Sequence, residues 1–320
     1  MFKLFVCGIN FLFSILCVFI LFVSCRLPPH QNEHDSNPDK SYDIRIKPIP
    51  GSKYEYEIHN SSQTQMELND KKIENKSKSD IDVIYVIGKD SLNNTIVSVN
   101  YNKIHIYSKI NDDETELDAA NAGNSINPAE KLLGILMGAN MKATLNSAGE
   151  VVSMTGYKEM ADQVIANIQS EDPETRIAIQ KQWKDFIEQK LVKKNIEEIF
   201  GIYPDSAMHI GGTWNSITKE KGDMNFLVKN QYTLQSISDG IAEIESHGQM
   251  TADSTSLKYM GFDVNSNLSG SQEGSYEVDI KTGMLKGCKM TANVEGSVQV
   301  LGHEVPFKVD IKVEMEGKKI

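Results

Sequence analysis

Apolar and polar residues alternate one by one through much of this chain, and that alternation limits what it can fold into. Successive side chains of a strand point to opposite faces, so a period of two marks a sheet with one buried face. Lys53-Tyr54-Glu55-Tyr56-Glu57-Ile58-His59 has this period, and Gln65 to Leu68 extends it past Ser61-Ser62. Runs at 82–87 and 95–110 read the same way, as do the later runs 226–237, 241–249, 256–268, 275–280, 284–294 and 298–315. In the run 95–110, Val97, Val99 and Tyr101 share one parity while Ile104 and Ile106 take the other. A parity switch inside one strand predicts a bulge near Asn102. Met141 to Leu145, the turn Asn146-Ser147-Ala148-Gly149 and Glu150 to Met154 predict a hairpin. Between the last strands, Asp279 can accept turn N–H groups and Gly283 can take a positive φ.

The stretch 156–200 departs from this pattern. Tyr157, Met160, Ala161, Val164, Ile165 and Ile168 recur at spacings of three and four, which is one stripe of a helix. Asp172 can cap a second helix with Pro173 in its first turn. That helix shows Ile179, Trp183, Phe186, Ile187 and Leu191 on one face and Lys181, Lys184 and Glu188 elsewhere. A shorter helix is expected over about 127–138, with Asn127 as cap, Pro128 in the first turn and Glu130 completing a capping box. The predicted fold class is therefore α+β: a curved antiparallel β-sheet, half-barrel-like, wrapped over a central block of amphipathic helices. Residues 51–320 form one α+β domain with helical insertions at about 127–138 and 156–200. Ile179, Trp183, Phe186, Ile187 and Trp214 are the expected wall of its core or of a pocket.

Met1-Phe2-Lys3 gives a positive start, Leu4 to Val23 is almost wholly apolar, and the run ends Val23-Ser24-Cys25. This is the layout of a secretory signal, residues 1–24, and with Cys25 at the first mature position it resembles a bacterial lipobox. Such a Cys is acylated (a palmitate-type anchor) and becomes the new N-terminus. The apolar run is also long enough for an uncleaved transmembrane anchor. Either way the body lies outside the cytoplasm, and the expected place is the cell envelope, lipid-anchored at the outer membrane and facing the periplasm. Residues 25–50 are rich in Pro, Asn, His and Asp, have no periodicity, and read as a flexible tether.

The formal charge of −11 argues against nucleic acid as a partner. With Cys7 and Cys17 in the leader and Cys25 acylated, Cys288 has no disulfide partner and reads as a small buried side chain. The acidic run Asn111 to Glu116 reads as a solvated loop. His59 and His105 lie in strands as exposed or satisfied side chains. No metalloprotease helix, nucleophile elbow, phosphate loop or Cys-x-x-Cys pair is present. No catalytic residue, cofactor ligand or metal ligand is assigned.

Several blocks in order resemble a family of bacterial exported proteins, domain of unknown function 6263. They are the hairpin Asn146 to Val151 leading to Gly156, the segment Tyr203-Pro204 leading to Gly211-Gly212-Thr213-Trp214, and the Asp279 to Gly283 turn. The family usually has an acidic residue where Gly212 stands. The resemblance spans roughly Lys53 to Glu316 and implies an exported body with no established activity. By analogy of fold alone, its shape looks like the half-barrel of periplasmic lipoprotein carriers.

Two function classes follow. One is a non-catalytic binding or carrier shell for a hydrophobic small molecule. The other is a structural or interaction module with a filled core that contacts another envelope protein. An enzyme of unknown type ranks third, because no nucleophile and base form a visible pair. The anchor is directly testable. Cys25→Ser should leave the chain unprocessed or release its body from membranes, and unchanged processing with unchanged fractionation would overturn the lipobox reading.

Overall fold

The computed structural model describes residues 40–68, 71–90, 94–146, 151–156, 159–160, 162–163, 196, 202–220, 226–252, 257–259, 262–300 and 303–320. These residues are dominated by one antiparallel sheet of thirteen strands. The first group is β1 (Lys53–Leu68), β2 (Lys71–Lys89), β3 (Thr95–Ile110), β4 (Asp113–Asp118), β5 (Met141–Leu145) and β6 (Val151–Thr155). The second is β7 (Thr213–Glu220), β8 (Phe226–Ser238), β9 (Ile241–Ala252), β10 (Leu257–Tyr259), β11 (Phe262–Asp279), β12 (Met284–Val300) and β13 (His303–Lys319). The order across the sheet is β6-β5-β3-β2-β1-β13-β12-β11-β9-β8-β7, with β4 also on β3 and β10 also on β11. The first long strand therefore pairs with the last, from Tyr54 opposite Lys319 to Met66 opposite Phe307.

This sheet overturns the α+β class. One complete α-helix, α1 (Pro128–Met137), lies among the described residues. The helical block expected at 156–200 falls almost entirely outside them; of its described positions, Met160 and Ile196 are buried in the core. The physical reason is that strands with polar residues on both faces carry no period-two contrast. β2 starts at Lys71, not near Asp82, and its first half alternates polar with polar. The acidic run is likewise a strand, β4, reached by a tight turn in which Asn111 takes a positive φ of 53°. There Lys109 meets Glu114 at 2.6 Å and His105 meets Glu116 at 2.8 Å.

Other local signals hold. Asn102 is the residue skipped where Asp82 faces Lys103 and Val83 faces Tyr101, so the bulge lies where the parity switch puts it. Asn127 caps α1 by accepting from the Ala129 N–H at 3.0 Å. Glu130 does not close a capping box: its carboxylate accepts instead from the Asp118 N–H, 3.2 Å away. Asp279 accepts from the Lys281 N–H and the Thr282 hydroxyl, and Gly283 has φ +67°. A Cβ on Gly283 would lie 2.5 Å from the Arg45 carbonyl oxygen, so this turn needs glycine for closeness as well as for conformation. Cys288 is free and buried.

The two faces of the sheet differ sharply. Inward positions such as Tyr56, Val83, Val97, Leu234, Ile244 and Val278 are at most 0% exposed. Outward positions are charged or polar, as in Glu55, Glu57 and His59 on β1 and Lys308, Asp310, Lys312 and Glu314 on β13. One outward row alternates basic with acidic side chains across six strands: Lys289, Glu314, His59, Asp80, His105 and Asp118. His59 Nδ1 and Asp80 Oδ1 are 2.6 Å apart, and that hydrogen bond is the main cause holding the Asp80 carboxyl below its usual range.

Tyr56 joins the buried face to a turn. Its ring packs on Tyr85 at 5.4 Å, and its hydroxyl donates to the Leu285 carbonyl at 3.1 Å. Tyr56→Phe should cost about 1–2 kcal/mol, the loss of one buried hydrogen bond, and Tyr56→Ala about 3–5 kcal/mol. Denaturant melts of the two variants check the order; an equal loss would mean that the ring contributes nothing beyond its hydroxyl.

Candidate functional site

The buried face changes character along the strands. At the end near the Asp279 turn it is aliphatic and aromatic. One row there crosses Leu234, Ile244, Tyr276, Cys288, Met315, Ile58, Ile81 and Ile104. Trp214 stacks on Tyr232 at 5.4 Å with 17° between the rings, and Tyr232 tilts against Tyr276 at 6.0 Å. Trp214 Nε1 donates to the Ile202 carbonyl at 3.0 Å, and the Tyr203 hydroxyl donates to the Gly283 carbonyl. Burial raises the phenol pKa values of Tyr56 and Tyr203. A strap covers this end: Tyr42 bridges Met208, Ile44 is fully buried, and the Lys47 N–H donates to Thr282 at 2.7 Å.

Further along, the inward positions become polar while staying buried. On β1, β2 and β3 these are Asn60, Ser62, Thr64, Asn75, Ser77, Ser79 and Ser108, none more than 8% exposed. Cross-strand register places Asn60 opposite Ser79, Ser62 opposite Ser77 and Thr64 opposite Asn75. They bond in pairs: Asn60 donates to Ser79 at 3.0 Å, Ser62 meets Ser77 at 2.7 Å, and Ser108 donates to Asn75 at 3.1 Å. A second patch occupies the same rows on β8, β9 and β11, with Asn230, Ser246 and Gln272. There Gln272 Nε2 donates to Asn230 Oδ1 at 2.5 Å across the strand between them. Gly248 makes this reach feasible, because a Cβ there would lie 2.1 Å from Asn230 Oδ1. Between the patches, β12 and β13 present Ala292, Val294, Val309 and Ile311.

The pairing leaves atoms over. Asn60 Oδ1, Asn75 Nδ2, Ser246 Oγ, Ser266 Oγ and Gln272 Oε1 are buried in these polar positions with no hydrogen-bond partner, as are the Tyr54 hydroxyl at the aliphatic and aromatic end and Ser275 Oγ at the opposite parity. Buried polar groups are satisfied in the great majority of cases, and each exception costs about 1–3 kcal/mol. Among the described residues no Asp, Glu, Lys, Arg or His is buried with them. The face can therefore donate and accept hydrogen bonds, but its described part holds no buried general base beside Ser246 or Ser266. The described residues also contain no cluster of His, Cys, Asp and Glu arranged to hold a metal ion.

Of the residues expected to form a core or pocket wall, Trp214 is partly buried and packs against the core from β7, the last strand in the order of the described residues. Ile179, Trp183, Phe186 and Ile187 lie outside the described residues, as does Cys25. The polar band was not anticipated from sequence. Its only signal is small polar residues at every second position, 60-62-64 and 75-77-79, where a strand of unknown register gives no contrast between faces. A separate shallow crevice, open to solvent and lined by Asn267, Gly296, Ser297, Glu304 and Pro306, lies at the far end of β11 to β13.

The family model for DUF6263, described as a family of unknown function, matches residues 92–285, more than half of the chain. No curated protein matches it. Solved structures similar to it include the COG4313 outer membrane channel from Pseudomonas putida F1, at 6% identity and TM-score 0.22, covering 92% of this chain and 100% of that one. DynF from the dynemicin biosynthesis pathway of Micromonospora chersina is similar at 8% identity and TM-score 0.21, with 94% of each chain covered. Pseudomonas aeruginosa OpdQ is similar at 9% identity and TM-score 0.21, covering 85% of this chain and 100% of that one. Likeness at that level carries no argument about function. Among the described residues, no helix is long and apolar enough to cross a membrane.

The Gly248 crossing can be tested alone. Gly248→Ala should drive Asn230 and Gln272 apart and destabilise the chain by about 1–3 kcal/mol, the usual cost of overpacking. A thermal melt unchanged from the parent would show that the two amides do not need to meet across β9.

Proposed function

The chain belongs to the DUF6263 family of unknown function, and from its buried face we propose that it is a non-catalytic, exported binding shell for an amphiphile. The observation that supports this is the set of five partnerless polar atoms in the polar band, beside an aliphatic and aromatic end of the same face. A filled structural core has every reason to replace such atoms with apolar ones, since each costs stability. A face that must hold a ligand with both an apolar and a polar part has a reason to keep them. The outward charges suit a body that stands in water, and on this reading the acylated Cys25 ties that body to the envelope membrane.

The test is native mass spectrometry of the full chain released gently from membranes. Adducts of an amphiphile at stoichiometric level, lost when Gln272 and Asn60 are both changed to Leu, are the expected result. A chain that carries no adduct in any preparation, and that instead copurifies with a fixed envelope protein, would favour the interaction-module reading and overturn this one.

A further inference from the structure

The partnerless atoms also constrain the polar part of the ligand, an inference that rests on the binding-shell reading above. Tyrosines aside, every buried polar side chain among the described residues is a Ser, Thr, Asn or Gln. A carboxylate, phosphate or ammonium brought to the band would lose its hydration with no opposite charge to meet it, and neutral dipoles do not return that cost. The unfilled valences also run in both directions. Asn60 Oδ1 and Gln272 Oε1 accept, Asn75 Nδ2 donates, and the hydroxyls of Ser246 and Ser266 do either. A hydroxyl group answers all of these, because it donates and accepts from one atom. It also fits an amide in either orientation of its oxygen and nitrogen.

We propose that the buried polar band of β1, β2, β9 and β11 receives an uncharged polyol head of an amphiphile and discriminates against a charged head on the same tail. Ala292, Val294, Val309 and Ile311, in the same rows, supply apolar surface beside the band. Specificity of this kind comes from what the wrong ligand leaves unpaired.

The probes are a monoacylglycerol with a photoreactive diazirine in its tail and the fatty acid with the same tail, each presented to the full chain in lipid nanodiscs. The monoacylglycerol should label peptides of β1 and β11 about tenfold more than the fatty acid, the equivalent of one net hydrogen bond. Equal labelling, or stronger labelling by the fatty acid, would overturn the head-group inference and leave the binding shell standing. No labelling of the sheet by either probe would overturn both. Ser246→Ala gives an independent reading, since it removes one partnerless hydroxyl and little volume. It should raise the melting temperature of the unliganded chain by about 2 °C while lowering monoacylglycerol labelling several-fold. A lower melting temperature would mean that the hydroxyl serves the fold, and unchanged labelling would take Ser246 out of the site; either result overturns the assignment.

Discussion

The pairing of β1 with β13 is the constraint on which the rest of the sheet depends. β1 is first among the described strands and β13 is last, yet they lie side by side in the middle of the order. On one side of that seam are β2, β3, β5 and β6; on the other are β12, β11, β9, β8 and β7. The strand order connects the two groups only through the ladder from Tyr54–Lys319 to Met66–Phe307. The seam also sets the level of everything on the buried face. Asn60 shares a row with Ser246, and Ser62 with Gln272, only because β1 and β13 meet in this register. A slip of one residue would turn Tyr54, Tyr56 and Ile58 outward and Glu55 and Glu57 inward, at the cost of several buried charges. Contacts this distant in sequence form late, so the chain must hold its long strands unpaired on the seam side until its end is available.

What was legible in the sequence follows from contrast. Where apolar faces polar at every second residue, as in Lys53 to His59 or Val305 to Met315, the strand, its buried face and its register are all written in the pattern. The bulge at Asn102 was legible for the same reason, since Tyr101 and Ile104 cannot both point inward from a regular strand. Where both faces are polar the pattern falls silent. Lys71 to Ser79 is strand because its backbone pairs with β1 throughout and with β3 from Asn75 onward, and nothing in its side chains announces that Asn75, Ser77 and Ser79 point inward. The stripe of Ile179, Trp183, Phe186 and Ile187 was loud by comparison and drew the fold class toward α+β. The acidic run does carry a signal: Asn111-Asp112 between Ile110 and Asp113 is a tight hairpin turn in composition, and its carboxylates find Lys109 and His105 across the ladder.

The polar band sets a problem of energy that packing alone does not answer. Atoms buried without a partner cost about 1–3 kcal/mol each, against a whole-domain stability of about 5–15 kcal/mol. The fold tolerates them because the aliphatic end and the long ladders are extensive. Tolerance is not a reason for their presence, since Ala or Val at Ser246 or Ser266 would be sterically modest changes. The paired members of the band, Ser62 with Ser77 and Asn230 with Gln272, hold the others in fixed directions. Buried polar atoms held in place are what recognition requires and what a plain core avoids.

The division between faces separates this sheet from one built to cross a bilayer. A barrel that crosses a bilayer presents an apolar band to lipid and keeps its polar residues in the lumen. This sheet does the reverse along β1 and β13, where Glu57, His59, Lys312 and Glu314 occupy the outward centre and Ile58, Val313 and Ile311 face inward. Charges at those places would each cost several kcal/mol in hydrocarbon. The outer surface of these strands is therefore built for water, and whatever contact the chain makes with a membrane must come through another part of it. On the proposed reading that part is the acylated Cys25 and its tether, so the sheet need not enter the bilayer at all. An apolar interior carried in water beside a membrane is the arrangement in which an amphiphile can leave one hydrophobic phase for another without exposing its tail.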